Sequence, residues 1–140
     1  MYIESEKRQV LLEKAFSIKP ITPEEFEKFL VSIDGLNFAH SRGVQKMIHR
    51  QNFGVGDGWL GLLKSLIKMA IKAGWNKEVA QVKEKWGGLR FYINEGSSEI
   101  FDIINQHEGF SHTICEECGM PGRSRHGNWI RTLCDKHYIK

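Results

Sequence analysis

The feature that most constrains this chain is the stretch CEECGMPGRSRHGNWIRTLCDKH, residues 115–137, which holds every cysteine of the 140-residue protein. Cys115, Cys118, Cys134 and His137 are spaced Cys-x2-Cys-x15-Cys-x2-His. Two donors separated by two residues can sit on one tight turn and face the same ion, and Cys3His is a common tetrahedral set for structural zinc. Gly119 directly after Cys118 supplies the small residue such a turn needs, and Pro121-Gly122 and Gly127-Asn128 mark a hairpin-length insert between the two half-sites. His137 is therefore read as the fourth ligand. His112 and His126 are the alternatives, but neither is paired at this spacing. Four protein ligands leave no open position for water, so zinc here is expected to be structural rather than catalytic. It would organise a tail that has little apolar material of its own, with Ile114, Trp129, Ile130 and Leu133 as the expected cap.

Thiols clustered in this way favour a metal over a disulfide in a reducing compartment. The N-terminus MYIESEKRQVLLEK carries charges where a signal peptide needs an apolar run. The most apolar stretch, WLGLLKSLIKMAIKAGW, is interrupted by Lys64, Lys68 and Lys72, too charged and too short to span a bilayer. The expectation is a cytoplasmic, non-membrane protein. With 41% hydrophobic and 26% charged residues it has enough apolar content for a core of its own.

Periodicity gives the rest of the organisation. Helices are expected over 4–16, over 23–33 behind the capping box Thr22-Pro23-Glu24-Glu25, and over 58–73 behind Asp57. A short helix carrying Val44, Met47 and Ile48 is expected within 36–57. Alternation in AQVKEKWGGLRFYIN predicts a β-hairpin about Gly87-Gly88, with Val82, Leu89, Phe91 and Ile93 inward. Glu84 falls on the inner side by parity, so it must lie at an edge, at a bulge, or beside a cation. A further helix starts at Ser97 or Ser98 and ends at Gly109. The expected fold is α+β: helices packed on a small antiparallel sheet or hairpin, residues 1–110, with a zinc-ribbon or treble-clef-like knuckle, residues 111–140, packed on it.

The run QVKEKWGGLRFYI, followed by a helix and then by CEECGMPG…NWIRTLCDKH, resembles a group of small uncharacterised zinc-knuckle proteins encoded by bacteriophages and prophages. The likeness covers about residues 75–140. It implies a bacterial host cytoplasm as the setting and does not imply a mechanism.

Net charge is only +3, but it is unevenly placed. Three basic groups are candidate anion-binding surfaces. On the outer hairpin face stand Lys83, Lys85, Arg90 and Tyr92, the last offering a stacking surface for a base. Arg42, Lys46, His49 and Arg50 would share one face if their segment were helical. Arg123 and Arg125, with His126 and Arg131, occupy the insert between the half-sites. Trp86 beside two glycines is expected to pack over the turn. No phosphate-binding glycine loop and no free nucleophile stands out: NFGVGDG lacks the lysine and the strand–helix setting. The leading expectation is a non-enzymatic zinc protein that holds a nucleic acid or a phosphorylated nucleotide. The alternative is a phage inhibitor of a host defence, sequestering a nucleotide signal or binding a host protein, with a homo-oligomer compatible with either. A lesser alternative is a His-Asn-His nuclease through His126, Asn128 and His137.

Overall fold

The computed structural model describes residues 17–40 and 43–138. The helix expected over 4–16 lies outside the described residues. Helix α1, Pro23–Ser32, begins as the sequence requires: the Thr22 hydroxyl accepts from the Glu25 N–H, and the Glu25 carboxylate accepts from the Thr22 N–H. Phe26, Phe29 and Leu30 line its buried face. Asp34 and Gly35 both take positive φ and end it, and the Gly35 N–H donates to the Leu30 carbonyl at 2.7 Å.

The next segment departs from expectation. Instead of a short helix, Leu36–His40 (β1) and Gly43–Met47 (β2) form an antiparallel pair. Strand β1 also pairs in parallel with the two-residue strand Glu78–Val79 (β3), so β1 is the centre of a three-stranded sheet ordered β2-β1-β3. Burial of Leu36 and Met47 and the distant pairing to Val79 settle the choice of strand, which a local window cannot register.

A 3-10 turn at Asp57–Trp59 leads into helix α2, Leu60–Lys72. Asp57 does not cap α2: Trp59 stands at the cap position, without a side-chain bond, and the Asp57 carboxylate takes the Arg50 guanidinium at 2.7 Å. Helix α2 is the spine of the core, burying Leu60, Leu62, Leu63, Leu66, Ile67 and Ala70. Helix α1 packs on one side of it and α3, Ser98–Ser111, on another. Ser97 caps α3 through the Ile100 N–H. Gly109 lies inside α3, which runs on to Ser111 because Phe110 and Ser111 are buried against the hairpin.

That hairpin is β4, Gln81–Lys85, and β5, Gly88–Tyr92, paired from Gln81↔Tyr92 to Lys85↔Gly88. Trp86 and Gly87 are its two turn residues, both with positive φ, as a type I′ turn demands. The turn is thus Trp86-Gly87 rather than Gly87-Gly88. Val82, Leu89 and Phe91 are buried, as alternation predicts. The free edge of β5 is covered by α3: Ser111 Oγ accepts from the Leu89 N–H and Glu108 Oε2 from the Phe91 N–H, each at 2.9 Å. Burial raises the Glu108 pKa, with the Phe91 N–H and Arg90 opposing.

The chain closes with β6, Arg123–Arg125, β7, Arg131–Leu133, and the single-turn helix α4, Asp135–Tyr138. Among the described residues no helix is long and apolar enough to cross a membrane.

Candidate metal centre and the adjoining hairpins

The tail has the treble-clef order of knuckle, hairpin and helix. Cys115 and Cys118 flank the knuckle, β6 and β7 form the hairpin, and Cys134 and His137 sit at the start of α4. The four donor atoms all lie within 4.8 Å of one another, and all three cysteines are free thiols. Cys118 Sγ and Cys134 Sγ are 3.7 Å apart; His137 Nδ1 is 3.2 Å from Cys134 Sγ and 3.7 Å from Cys115 Sγ. A tetrahedron with its sulfurs about 2.3 Å from a central zinc has edges of about 3.8 Å, and slightly shorter ones to nitrogen. The donor set and its spacing therefore fit a tetrahedral metal held by three thiolates and one imidazole. His112 and His126 are not part of the cluster.

The backbone is set for thiolates. The Met120 N–H turns toward Cys118, and the Lys136 and His137 N–H groups turn toward Cys134. Gly119, at φ +80°, makes the knuckle's turn, and its N–H donates to the Cys115 carbonyl at 2.9 Å. Burial, and then the neighbouring thiols, push the Cys118 pKa up to about 11. Cys134 goes the other way: desolvation raises it, but the His137 amide, the neighbouring thiols and the Lys136 amide together bring it below its ordinary value. Three thiols this close cannot all ionise against one another without a cation among them.

Sequence reasoning missed the layer behind the ligands. Glu117 Oε2 lies 3.7 Å from His137 Nε2, the ring nitrogen that faces away from the cluster. The carboxylate stands behind the ligand, where a small approach would let it accept from the ring N–H. Glu116 is buried and accepts the Thr132 N–H at 2.7 Å, which ties the knuckle to β7. Burial raises the Glu116 pKa, with Thr132 and Arg131 opposing and Glu84 adding to the rise. The signal was present in CEEC, where the two acids stand between two ligands.

The knuckle is welded to the helical core. The Trp59 indole N–H donates to the Ile114 carbonyl at 2.8 Å and the Gly58 N–H to the Glu116 carbonyl at 2.8 Å. A Cβ at Gly58 would collide with the Cys115 carbonyl oxygen, so only glycine allows this approach. The β4–β5 turn docks from the other side. Thr132 Oγ1 donates to the Gly87 carbonyl at 2.6 Å, and a Cβ at Gly87 would stand 3.2 Å from the Arg131 carbonyl carbon.

Most of the cations that the sequence offered for binding are used internally. Arg42 lies outside the described residues. Lys46 pairs with Asp34 at 2.8 Å. Arg50 is held by Asp57 and by the Phe53 and Val55 carbonyls, so it braces the loop. Lys46, His49 and Arg50 do not share a helical face, because Gly43–Met47 is strand and Arg50–Asn52 a 3-10 turn. Arg125 is buried; it donates to the Leu133 carbonyl and to Asp135 and stacks on Tyr138. Arg123 stands 3.9 Å from the same Asp135, and Arg131 pairs with Glu116 and Glu117.

The hairpin face is different. Lys83 and Arg90 are directly opposed across the strands, with Lys85 and Tyr92 on the same side. Among the described residues none of the three cations forms an ion pair, although Arg90 is near enough to favour the charged form of Glu108; Lys85 Nζ lies over the Trp86 ring at 4.8 Å. His112 borders this face with its imidazole seated on Gly88, and burial, then Arg90, lowers its pKa. Glu84, the carboxylate that parity placed inward, is satisfied at the turn, where its Oε2 accepts the Gly87 N–H at 2.7 Å.

Two further expectations need correction. Trp86 does not pack over the turn and Trp129 does not cap the metal: they are 69% and 72% exposed. Of the expected cap, Ile114 and Leu133 are buried and Ile130 is half-buried. His126 and Asn128 stand exposed in the β6–β7 loop, while His137 belongs to the metal cluster. A separate pair escaped the sequence reading: buried His107 holds Nδ1 at 2.7 Å from the Ile103 carbonyl and Nε2 at 2.9 Å from Ser65 Oγ. A carbonyl only accepts, so Nδ1 carries the proton and Nε2 takes the serine hydroxyl. Ser65 is mid-helix, where the backbone amides are used by the helix itself, and the pair ties α2 to α3. No protein-family model, curated protein or solved structure matches this chain.

Proposed function

We propose that the metal is zinc, held structurally, and that the protein is a non-enzymatic module binding a nucleic-acid strand or a phosphorylated nucleotide on the outer face of β4–β5. One observation carries this reading. Among the described residues Lys46, Arg50, Arg125 and Arg131 each have a carboxylate partner and Arg123 shares Asp135 at 3.9 Å, whereas Lys83, Lys85 and Arg90 converge on one small face and form no ion pair. A fold that pairs its other arginines so thoroughly leaves this cluster for an external anion. Tyr92, 41% exposed on the same face, adds a ring on which a base can stack. Zinc supports the face indirectly, since the Thr132–Gly87 bond fixes the hairpin turn to the metal-bound unit. The all-protein donor set speaks for a structural metal.

Fluorescence anisotropy with a labelled single strand tests the reading. Three cations on a single strand predict a slope of about −2 for log K against log[salt]. Lys83→Glu combined with Lys85→Glu should abolish binding while zinc content stays at one per chain. Absence of binding at low salt, or binding that the double variant leaves untouched, overturns it. In the first case a protein partner becomes the leading alternative.

A further inference from the structure

Trp86 and Trp129 are the two most exposed large apolar side chains among the described residues. They stand at the tips of two different hairpins, one held by apolar burial and the other by the metal site. Both line a single cavity of about 410 Å³, with Glu84, Lys85, Asn128 and Ile130 around it. The tips are not free to drift apart: Thr132 Oγ1 holds the Gly87 carbonyl at 2.6 Å, and Glu116 holds the Thr132 N–H at 2.7 Å. The two indoles are thus presented to one cavity.

The polar group in that cavity narrows the occupant. Glu84 Oε2 is fixed by the Gly87 N–H, and Oε1 makes no hydrogen bond among the described residues. A carboxylate only accepts. Oε1 and the remaining lone pair of Oε2 can together accept from two adjacent N–H donors, and a flat ligand with such an edge fits between the indoles. Guanine does this with its N1–H and N2 amino group. Adenine and cytosine present an acceptor nitrogen beside their amino group, and uracil flanks its single N–H with two carbonyls. Lys85, on the same rim, supplies a cation for the phosphate of such a nucleotide.

We propose that the cleft between the Trp86 and Trp129 hairpin tips binds a guanine base, stacked on the two indoles and read by Glu84, with its phosphate directed to Lys85. The inference rests on the anion-binding reading of the β4–β5 face and names the base that would accompany the phosphate. Stacking on an aromatic side chain is sequence-tolerant, so the selectivity comes from Glu84.

Tryptophan fluorescence reports directly, since Trp59 and Trp75 are buried and the two exposed indoles respond to quenching. The titrants are GMP, AMP, CMP, guanosine and inorganic phosphate. GMP should quench and bind about tenfold or more tighter than AMP or CMP. Trp129→Ala should lower GMP affinity by about tenfold, and Trp129→Phe, which keeps a ring, should restore most of it. Glu84→Gln, which can still accept the Gly87 N–H, should erase the preference for guanine. Unchanged zinc content and circular dichroism certify the folds. If GMP, AMP and CMP bind alike and Trp129→Ala has no effect, the base site is overturned, while salt-sensitive binding lost in the Lys83→Glu/Lys85→Glu protein leaves the phosphate face standing. If guanosine binds as tightly as GMP without salt dependence, the base site stands and the phosphate face falls. No response to any titrant overturns both.

Discussion

The two hairpins that meet at the cleft are built on different principles. In β4–β5, five-residue strands place Val82, Leu89 and Phe91 in the core, and alternation fixes the register. In β6–β7 the strands are three residues long, and their buried members include Thr132 and Arg125. Such a short polar ribbon is marginal by itself. It is held instead by donor atoms and charge: the Cys3His cluster on one side, and Arg125 bridging the Leu133 carbonyl and Asp135 on the other. Burial supports the first hairpin without any ion, whereas the second leans on the Cys3His cluster and on hydrogen-bonded charge. The same contrast explains the cations. Arg125 takes a core position in β6–β7 and is consumed by the fold; the β4–β5 hairpin has an apolar core beneath it, so its outer cations are left over.

The largest effect should come from removing the metal. Cys118→Ser, or chelation of the wild type, is expected to cost on the order of 5 kcal/mol or more, because binding free energy at a structural zinc site becomes folding free energy. Hydrogen exchange would locate the loss. Protection should vanish over residues 112–138 and persist over Leu60–Lys72, whose amides belong to the apolar core. Uniform loss across both regions would break the comparison, showing that the weld through Trp59, Gly58 and Thr132 makes the two hairpins one cooperative unit.

The reciprocal change probes the other hairpin. Leu89 is fully buried in β5. Leu89→Ala should destabilise by about 2–5 kcal/mol, the range for a truncated core leucine. Zinc content should remain one per chain, because no ligand touches that position. A variant that folds but releases its metal would mean that the burial-held hairpin also positions the knuckle. Denaturant unfolding with parallel metal analysis separates these outcomes.

How far each part could be read from sequence follows the same divide. The metal unit was legible because coordination imposes short fixed spacings, and Cys115, Cys118, Cys134 and His137 met them in order. Helix α1 was legible through the Thr22/Glu25 box and β4–β5 through strict alternation. The β1–β2 pair was not: Val44, Met47 and Ile48 fit a helical period, and the decisive partner of Phe38, Val79, is far along the chain. Sequence alone does not sort the apolar residues around the knuckle: Ile114 and Leu133 are buried there, whereas Trp129 stands out in the β6–β7 loop. Glu84 was flagged as misplaced by parity, yet its resolution, a backbone N–H at a turn rather than a cation, depended on the positive φ of Trp86 and Gly87.

The smallest expected effect lies away from both hairpins, at His107, and it sharpens the comparison by isolating the helical core. Burial lowers the His107 pKa from its ordinary 6.5, with the Ile103 carbonyl opposing. A histidine that is harder to protonate folded than unfolded contributes stability above the unfolded value, and that stability is lost as pH falls below about 6.5 toward the folded value. Glu116 and Glu108, both raised, have the opposite sign: the charged forms are disfavoured in the fold, so their terms improve as pH falls toward the ordinary carboxylate range. The difference between the wild type and His107→Gln cancels these shared contributions. Melting temperatures of the zinc-loaded proteins, measured from about pH 7.5 to 5.5, should show the wild type losing more than the variant. Parallel curves for the two proteins would mean that His107 keeps its ordinary titration in the fold, and that acid sensitivity in this range comes from other groups, His112 among them.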